Sequence, residues 1–320
     1  MIKKIVITLS LILSLNASET IIIAGPGAGV THPIFKMIQD NSLKDLDIKI
    51  KFKPWKNPDE LKALILNQKV DFIATPITAG SILYNRGAKV QLTHLVMGGA
   101  RGVVSHDPSI KTIKDLKGKT IGISSRGGLG DSLMKILLKE NGLNYKKDVK
   151  IVYTQSSRNS TMMLFKNRID VAMLSEPRIS MALKKAKSLP SDKGVHKLFF
   201  NLNLVDAWKK TFNTQTSFAQ VGFLAVGDTI KKRTLIQRFV QEYKKAQNWY
   251  INNPKESAKL TVKYLKGLNS KAVENGIKNS NFYILETSKD RELVKTLLNT
   301  LVLNNPKSMG KKLPDDGFYF

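Results

Sequence analysis

The sequence predicts an α/β fold in two lobes, and three observations carry that prediction. A pattern of strand, turn, helix, strand, helix, strand occurs twice, about 100 residues apart. The strand runs are rich in β-branched residues and end on Gly, Pro or Ser, while the intervening segments carry apolar residues at helical spacing. The chain has 320 residues, 42% of them hydrophobic and 24% charged, enough for two sizeable cores and too apolar for wholesale disorder.

The first unit opens with Thr20 to Ala24 as a strand, Gly25-Pro26-Gly27-Ala28-Gly29 as a turn, and a helix face begun by Ile34, Met37 and Ile38. Asp47 to Phe52 alternates as a second strand. Asn57 then reads as a helix N-cap with Pro58 at the first helical position, Asp59 and Glu60 at the positive end of the dipole, and Leu61, Leu64 and Ile65 as the buried face. Val70-Asp71-Phe72-Ile73-Ala74-Thr75-Pro76 completes the unit.

In the second unit, Thr120 to Ser124 is the strand, Ser125-Arg126-Gly127-Gly128 the turn, and Leu133, Ile136 and Leu137 the helix face. Asp148 to Tyr153 alternates as its second strand, and Ile169 to Ser175, followed by Glu176-Pro177, is the third. Strands alternating with helices give mainly parallel sheets covered on both faces. From Thr229 onward the texture is helical: Leu235, Ile236, Phe239, Val240, Tyr243, Ala246 and Trp249 recur at three and four residues, and Asn252-Asn253-Pro254 breaks the run. This tail is expected to pack back on the first lobe. The repeat therefore assigns residues 20–104 and 222–320 to lobe one and 106–220 to lobe two, with hinge strands near Gly102 to Ser105 and Val221 to Ala225.

Lys3 and Lys4, the apolar run Ile5 to Leu15 and the small-residue exit Asn16-Ala17-Ser18 read as a signal peptide over residues 1–18. The run is shorter than the roughly 20 residues that span a bilayer. No Cys follows it, so no lipid anchor through cysteine is expected. With no cysteine anywhere, disulfide scaffolds and thiolate metal sites are excluded. The net charge of +27 would ordinarily suggest nucleic acid. An exported chain rarely meets it, and the charge is read as solubility or attraction to an anionic envelope surface.

Asp115-Leu116-Lys117-Gly118-Lys119 leading into Ser124 to Gly128, then Glu140-Asn141-Gly142-Leu143, Asn167-Arg168-Ile169-Asp170-Val171 leading into Glu176-Pro177, and the helix end Trp249-Tyr250-Ile251-Asn252-Asn253-Pro254 resemble the periplasmic solute-binding proteins of ABC importers. The resemblance is to the group that includes sulfonate, taurine, nitrate and thiamine-precursor binders. It implies the two-lobe (type II) periplasmic-binding-protein fold, a small-molecule ligand in the cleft between the lobes, and a membrane permease of an ABC transporter as partner. A periplasmic monomer is expected, with no nucleic acid, cofactor or metal. A ligand sensor docking on a receptor is the alternative.

Ligands of open α/β sheets bind beyond the carboxyl ends of the strands. The expected lining is therefore Gly25 to Gly29 with Thr31 and His32, Pro54 with Trp55, Thr75-Pro76, Met97-Gly98-Gly99, Ser124 to Gly128, Gln155 to Arg158 and Ser175-Glu176-Pro177. Within it the candidate ligand-binding residues are Gly27, Trp55, Thr75, Ser125, Arg126, Gly127, Gly128 and Glu176. Ser125 to Gly128 open a helix whose free N–H groups suit an anion, with Arg126 beside them. Glu176 can accept from an amine or ring N–H, and Trp55 can stack on a planar body. A taurine-like zwitterion or an aminopyrimidine would use both ends.

Enzyme signatures are missing. Gly25-Pro26-Gly27-Ala28-Gly29-Val30 has Val30 where a dinucleotide loop needs its third glycine. There is no Walker A and no Gly-x-Ser-x-Gly elbow, and His32, His94, His106 and His196 form no i, i+4 zinc pair.

Overall fold

The computed structural model describes residues 18–98, 100–124, 126–188, 197–215, 217–218, 220–280, 282–304 and 306–320. The signal-peptide reading lies, apart from Ser18, outside the described residues, as does Ser125.

Two mixed sheets organise the molecule. The first runs β11-β4-β10-β3-β1-β2, built from β1 (Glu19–Gly25), β2 (Ile48–Pro54), β3 (Phe72–Pro76), β4 (Val90–Met97), β10 (Val221–Val226) and β11 (Tyr283–Glu286). The second runs β7-β6-β8-β5-β9, from β5 (Arg101–Ser105), β6 (Thr120–Ser124), β7 (Lys150–Thr154), β8 (Val171–Ser175) and β9 (Phe199–Asn203). In each sheet the repeated unit supplies three parallel strands, and a strand from a crossover segment adds to them antiparallel, β10 on β3 and β5 on β8. The chain leaves the first sheet after Met97, enters the second at Arg101, and returns between Asn203 and Val221.

The in-register aspartates do the same work in both sheets. Asp71 accepts the Ile22 amide at 2.8 Å and Asp170 accepts the Thr120 amide at 2.7 Å. Each carboxylate ties the entry of a third strand to the first strand of its sheet.

Both faces of the central strands are buried, which is why they read as continuous apolar runs rather than alternating ones. Ile21, Ile23, Phe72 and Ala74 pack with Ile34 and Met37 of α1 (Pro33–Gln39) and Phe239 and Tyr243 of α8 (Arg233–Asn252). Ile73 faces the other way, onto Leu61, Leu64 and Ile65 of α2 (Pro58–Leu66) and Ile77 of α3 (Ile77–Asn85). In the second sheet, Ile121 and Ile123 meet Leu133 and Leu137 of α4 (Leu129–Glu140). Ala172 and Leu174 meet Leu164 of α5 (Ser157–Phe165) and Ile179 of α6 (Arg178–Ser188). Asn57 caps α2 as its sequence position predicts, its side chain accepting from the amides of Asp59 and Glu60.

The tail is not purely helical. After α9 (Pro254–Tyr264) and α10 (Ser270–Lys278), the four residues of β11 extend the first sheet beyond β4 before α11 (Arg291–Asn304) begins. So short a strand leaves no periodicity to read. The chain end docks on the same sheet: Phe318, Tyr319 and Phe320 are buried and the Phe320 amide donates to Leu92 at 3.0 Å. Among the described residues no helix is long and apolar enough to cross a membrane.

Candidate functional site

A cavity of about 80 Å³ opens where the two sheets meet. The first sheet lines it with the turn Ala28 to Val30 and His32 after β1 and with Val96 and Gly98 at the end of β4, and the returning crossover adds Gln220 and Val221. The second sheet contributes Arg101 at the head of β5 and Ser175-Glu176-Pro177 beyond β8. The tail closes it with Tyr250, Val273, Gly276, Ser280 and Phe282.

Local structure explains why the walls come so close. Gly98 adopts φ +80°, a left-handed turn that suits glycine and swings the chain from one sheet to the other. The Gln220 side-chain amide donates to the Gly98 carbonyl and pins the two crossovers together. A Cβ at Gly29 would lie 2.8 Å from the Phe282 ring, so only glycine lets that ring reach the cavity. The Ala100 amide donates to Ser280 at 3.1 Å.

Most of the wall is apolar, and its polar groups are few. The His32 ring is 2% exposed. Its Nδ1 lies 2.9 Å from the Tyr250 hydroxyl, and its Nε2 has no partner among the described residues. Burial lowers the His32 pKa to about 3, so the ring is neutral at physiological pH. Arg101 has its Nε buried without a hydrogen-bond partner, and no carboxylate among the described residues pairs with it. Burial lowers its pKa to about 10, which still leaves it charged. Arg101 as a whole is partly exposed, yet its guanidinium is desolvated on the Nε side, and a desolvated cation with no paired carboxylate is costly, a cost that an anion beside it offsets. Glu176 is 9% exposed, and its carboxylate accepts from the Ser180 amide at 3.0 Å, the Ser180 hydroxyl at 2.9 Å and the Asn279 side chain at 3.3 Å. It accepts from the start of α6 and reaches across to the end of α10 in the tail.

Of the candidate residues read from the sequence, Glu176 lines this cavity; Gly27, Trp55, Thr75, Arg126, Gly127 and Gly128 do not. Trp55 is held by its own lobe, its indole N–H donating to the Ala74 carbonyl at 3.0 Å, and Thr75 is buried with its hydroxyl 3.3 Å from the Pro76 carbonyl. Gly27 sits one residue short of the lining turn.

The helix start at α4 is occupied from within the chain. The buried Asp131 accepts from the Gly127 amide at 2.7 Å, Lys135 at 2.9 Å, Tyr145 at 2.6 Å and Tyr153 at 3.0 Å. Burial opposes its ionisation, but those donors outweigh it and hold the carboxyl below its ordinary range. Arg126 lies over the Tyr153 ring, 4.5 Å from its centroid, and lines an open hollow with Lys146, Lys147 and Lys150.

Ala28, Gly29, His32, Gly98, Ser175 and Pro177 belong, with Glu176, both to the strand-end turns expected from the sequence and to the cavity. Arg101, Gln220, Tyr250 and the α10 residues were missed. A single Arg at the head of the β-branched run Arg101-Gly102-Val103-Val104-Ser105 was the one available signal.

Solved structures with this fold include an ABC transporter protein from Parabacteroides distasonis, 22% identical, with a TM-score of 0.72 over 94% of this chain and 98% of that one. The aliphatic sulphonate binding protein SsuA from Escherichia coli is 15% identical with a TM-score of 0.70, covering 93% and 92%. The alkanesulfonate-binding protein SsuA from Xanthomonas axonopodis pv. citri, bound to MOPS, is 17% identical with a TM-score of 0.69, covering 94% and 98%. No curated protein matches the sequence. The NMT1/THI5-like family model matches residues 42–257, well over half of the chain and most of both repeated units. The chain thus belongs to the NMT1/THI5-like family and has the two-lobe fold of the periplasmic binding proteins.

Proposed function

We propose that this protein is the extracytoplasmic solute-binding component of an ABC importer. It closes its two lobes on a small organic anion or zwitterion, such as a sulfonate or carboxylate, and hands it to a membrane permease. The observation that carries this reading is the desolvated Arg101, with no carboxylate paired to it among the described residues, in a largely apolar cavity walled by both lobes. Such a site stabilises one negative charge and buries the apolar body attached to it. The same observation disfavours an aminopyrimidine, which would ask the already engaged Glu176 to be the principal anchor. Export through the leader fits β1 beginning at Glu19, directly after the predicted cut. The protein acts as a monomer outside the cytoplasmic membrane.

The test is native mass spectrometry of protein purified from the envelope fraction, followed by identification of the released solute. An anion is expected, on a chain beginning at Ser18 or Glu19. Arg101→Met should weaken its binding by about 2 kcal/mol or more, since it removes one member of a buried charged pair. The ligand-free variant should be no less stable than the parent, because a partly desolvated cation with no paired carboxylate has been replaced by an apolar side chain. A released cation, or full affinity in Arg101→Met, would overturn the reading.

A further inference from the structure

Nine buried side-chain polar atoms lack a partner among the described residues, and those that belong to cavity-lining residues are Arg101 Nε and His32 Nε2. Arg101 Nε is a donor by its chemistry. The role of His32 Nε2 follows from the tautomer assigned to the ring. Among the described residues, the Tyr250 hydroxyl has His32 Nδ1 as its hydrogen-bond partner. Burial and the charge of Glu176 keep that phenol protonated. The assignment that gives its proton an acceptor within the protein places it on Nδ1, and a neutral imidazole accepting at Nδ1 carries its own hydrogen on Nε2. The site presents two stranded donors, one cationic and one neutral.

Buried donors are satisfied in nearly all proteins, and a site built around them rejects molecules that leave them unpaired. Glu176 shares the wall with His32, and its charge is felt at Tyr250. A second full negative charge at that end would be repelled, whereas an uncharged oxygen would not.

We infer that the solute carries, besides the anionic group taken by Arg101, an uncharged oxygen acceptor that pairs with His32 Nε2–H. The class is that of small keto acids, hydroxy acids and hydroxysulfonates, as distinct from plain alkyl acids and alkylsulfonates. This rests on the anion-binding reading and refines it, with His32 as the residue that sets specificity and Tyr250 as the residue that sets its tautomer.

Calorimetry with matched probe pairs tests it: ethanesulfonate against 2-hydroxyethanesulfonate, and butyrate against 3-oxobutyrate and 4-hydroxybutyrate. In the parent protein an oxygenated probe should bind about tenfold or more tighter than its plain partner, the worth of a buried hydrogen bond. His32→Phe should bring the pair within about twofold. His32→Gln, whose amide N–H₂ reaches the position of Nε2, should retain most of the preference, and thermal melting of both variants verifies that they are folded. Arg101→Met should lose every probe alike. Equal binding of plain and oxygenated probes by the parent, or a preference that survives His32→Phe, overturns the inference while leaving the anion reading intact. Binding unaffected by Arg101→Met, or no probe bound at about 10 mM, overturns both.

Discussion

Asp131 shows how one side chain redirects a motif. Its carboxylate gathers an amide, an ammonium and two phenols at the start of α4. Asp131→Ala would strand those donors and should destabilise the protein by about 3 kcal/mol, measured by denaturant unfolding. Two histidines make the fold sensitive to acid. His32 and His94 are both buried and neutral, with burial lowering each pKa to about 3. The unfolded chain takes up their protons from about pH 6.5 downward while the folded chain does not, so stability is full above that pH and falls as pH drops toward 3. Between pH 7 and pH 5.5 the two together should cost about 2.5 kcal/mol, and His94→Gln should halve that slope.

Among the elements, α2 rests on a local signal and β5 on a tertiary one. Asn57→Ala removes the acceptor for two amides at the start of α2 and should cost about 1 kcal/mol, read as a lowered unfolding midpoint. β5 lies between β8 and β9 and has Gly102 at its crowded point. A Cβ there would stand 2.1 Å from the Leu202 carbonyl and 2.3 Å from the Phe200 ring. The carbonyl is backbone and cannot yield as a side-chain tip does. Gly102→Ala should therefore destabilise by about 2 kcal/mol or more, and it should loosen the strand that carries Arg101. A solute-affinity loss exceeding that of Asn57→Ala checks the second half.

At the scale of the molecule, the tail touches the second repeated unit through α10 and α6, where Asn279 donates to Glu176 and Gly276 lets the carboxylate lie close. Asn279 does not line the cavity. Asn279→Ala should therefore act on closure alone, weakening solute binding by about 1 kcal/mol through a smaller closed population. X-ray scattering should show a larger average radius in the ligand-free variant, with the compact form restored at saturating solute. An unchanged radius together with unchanged affinity would show that this contact does not bias closure.

The sequence by itself determined the two sheets. Their strands and helices are written in local periodicity, their duplication in the spacing of Asp71 and Asp170, and their caps in single residues such as Asn57. It also placed His32 and Glu176 at the right strand ends, because those ends are fixed by the fold class. Only the tertiary structure decided which side chains face the cavity. Arg126 and Arg101 are both arginines beside strand ends. Asp131 fills the helix start next to Arg126, and Tyr153 offers that side chain a ring to lie on, whereas Arg101 lines the cavity together with tail residues and has its Nε out of solvent. Tyr250, Gly276 and Phe282 come to that cavity from more than a hundred residues away in the chain. Local pattern can specify a strand's end, but the direction a side chain takes there is set by what the rest of the chain brings against it.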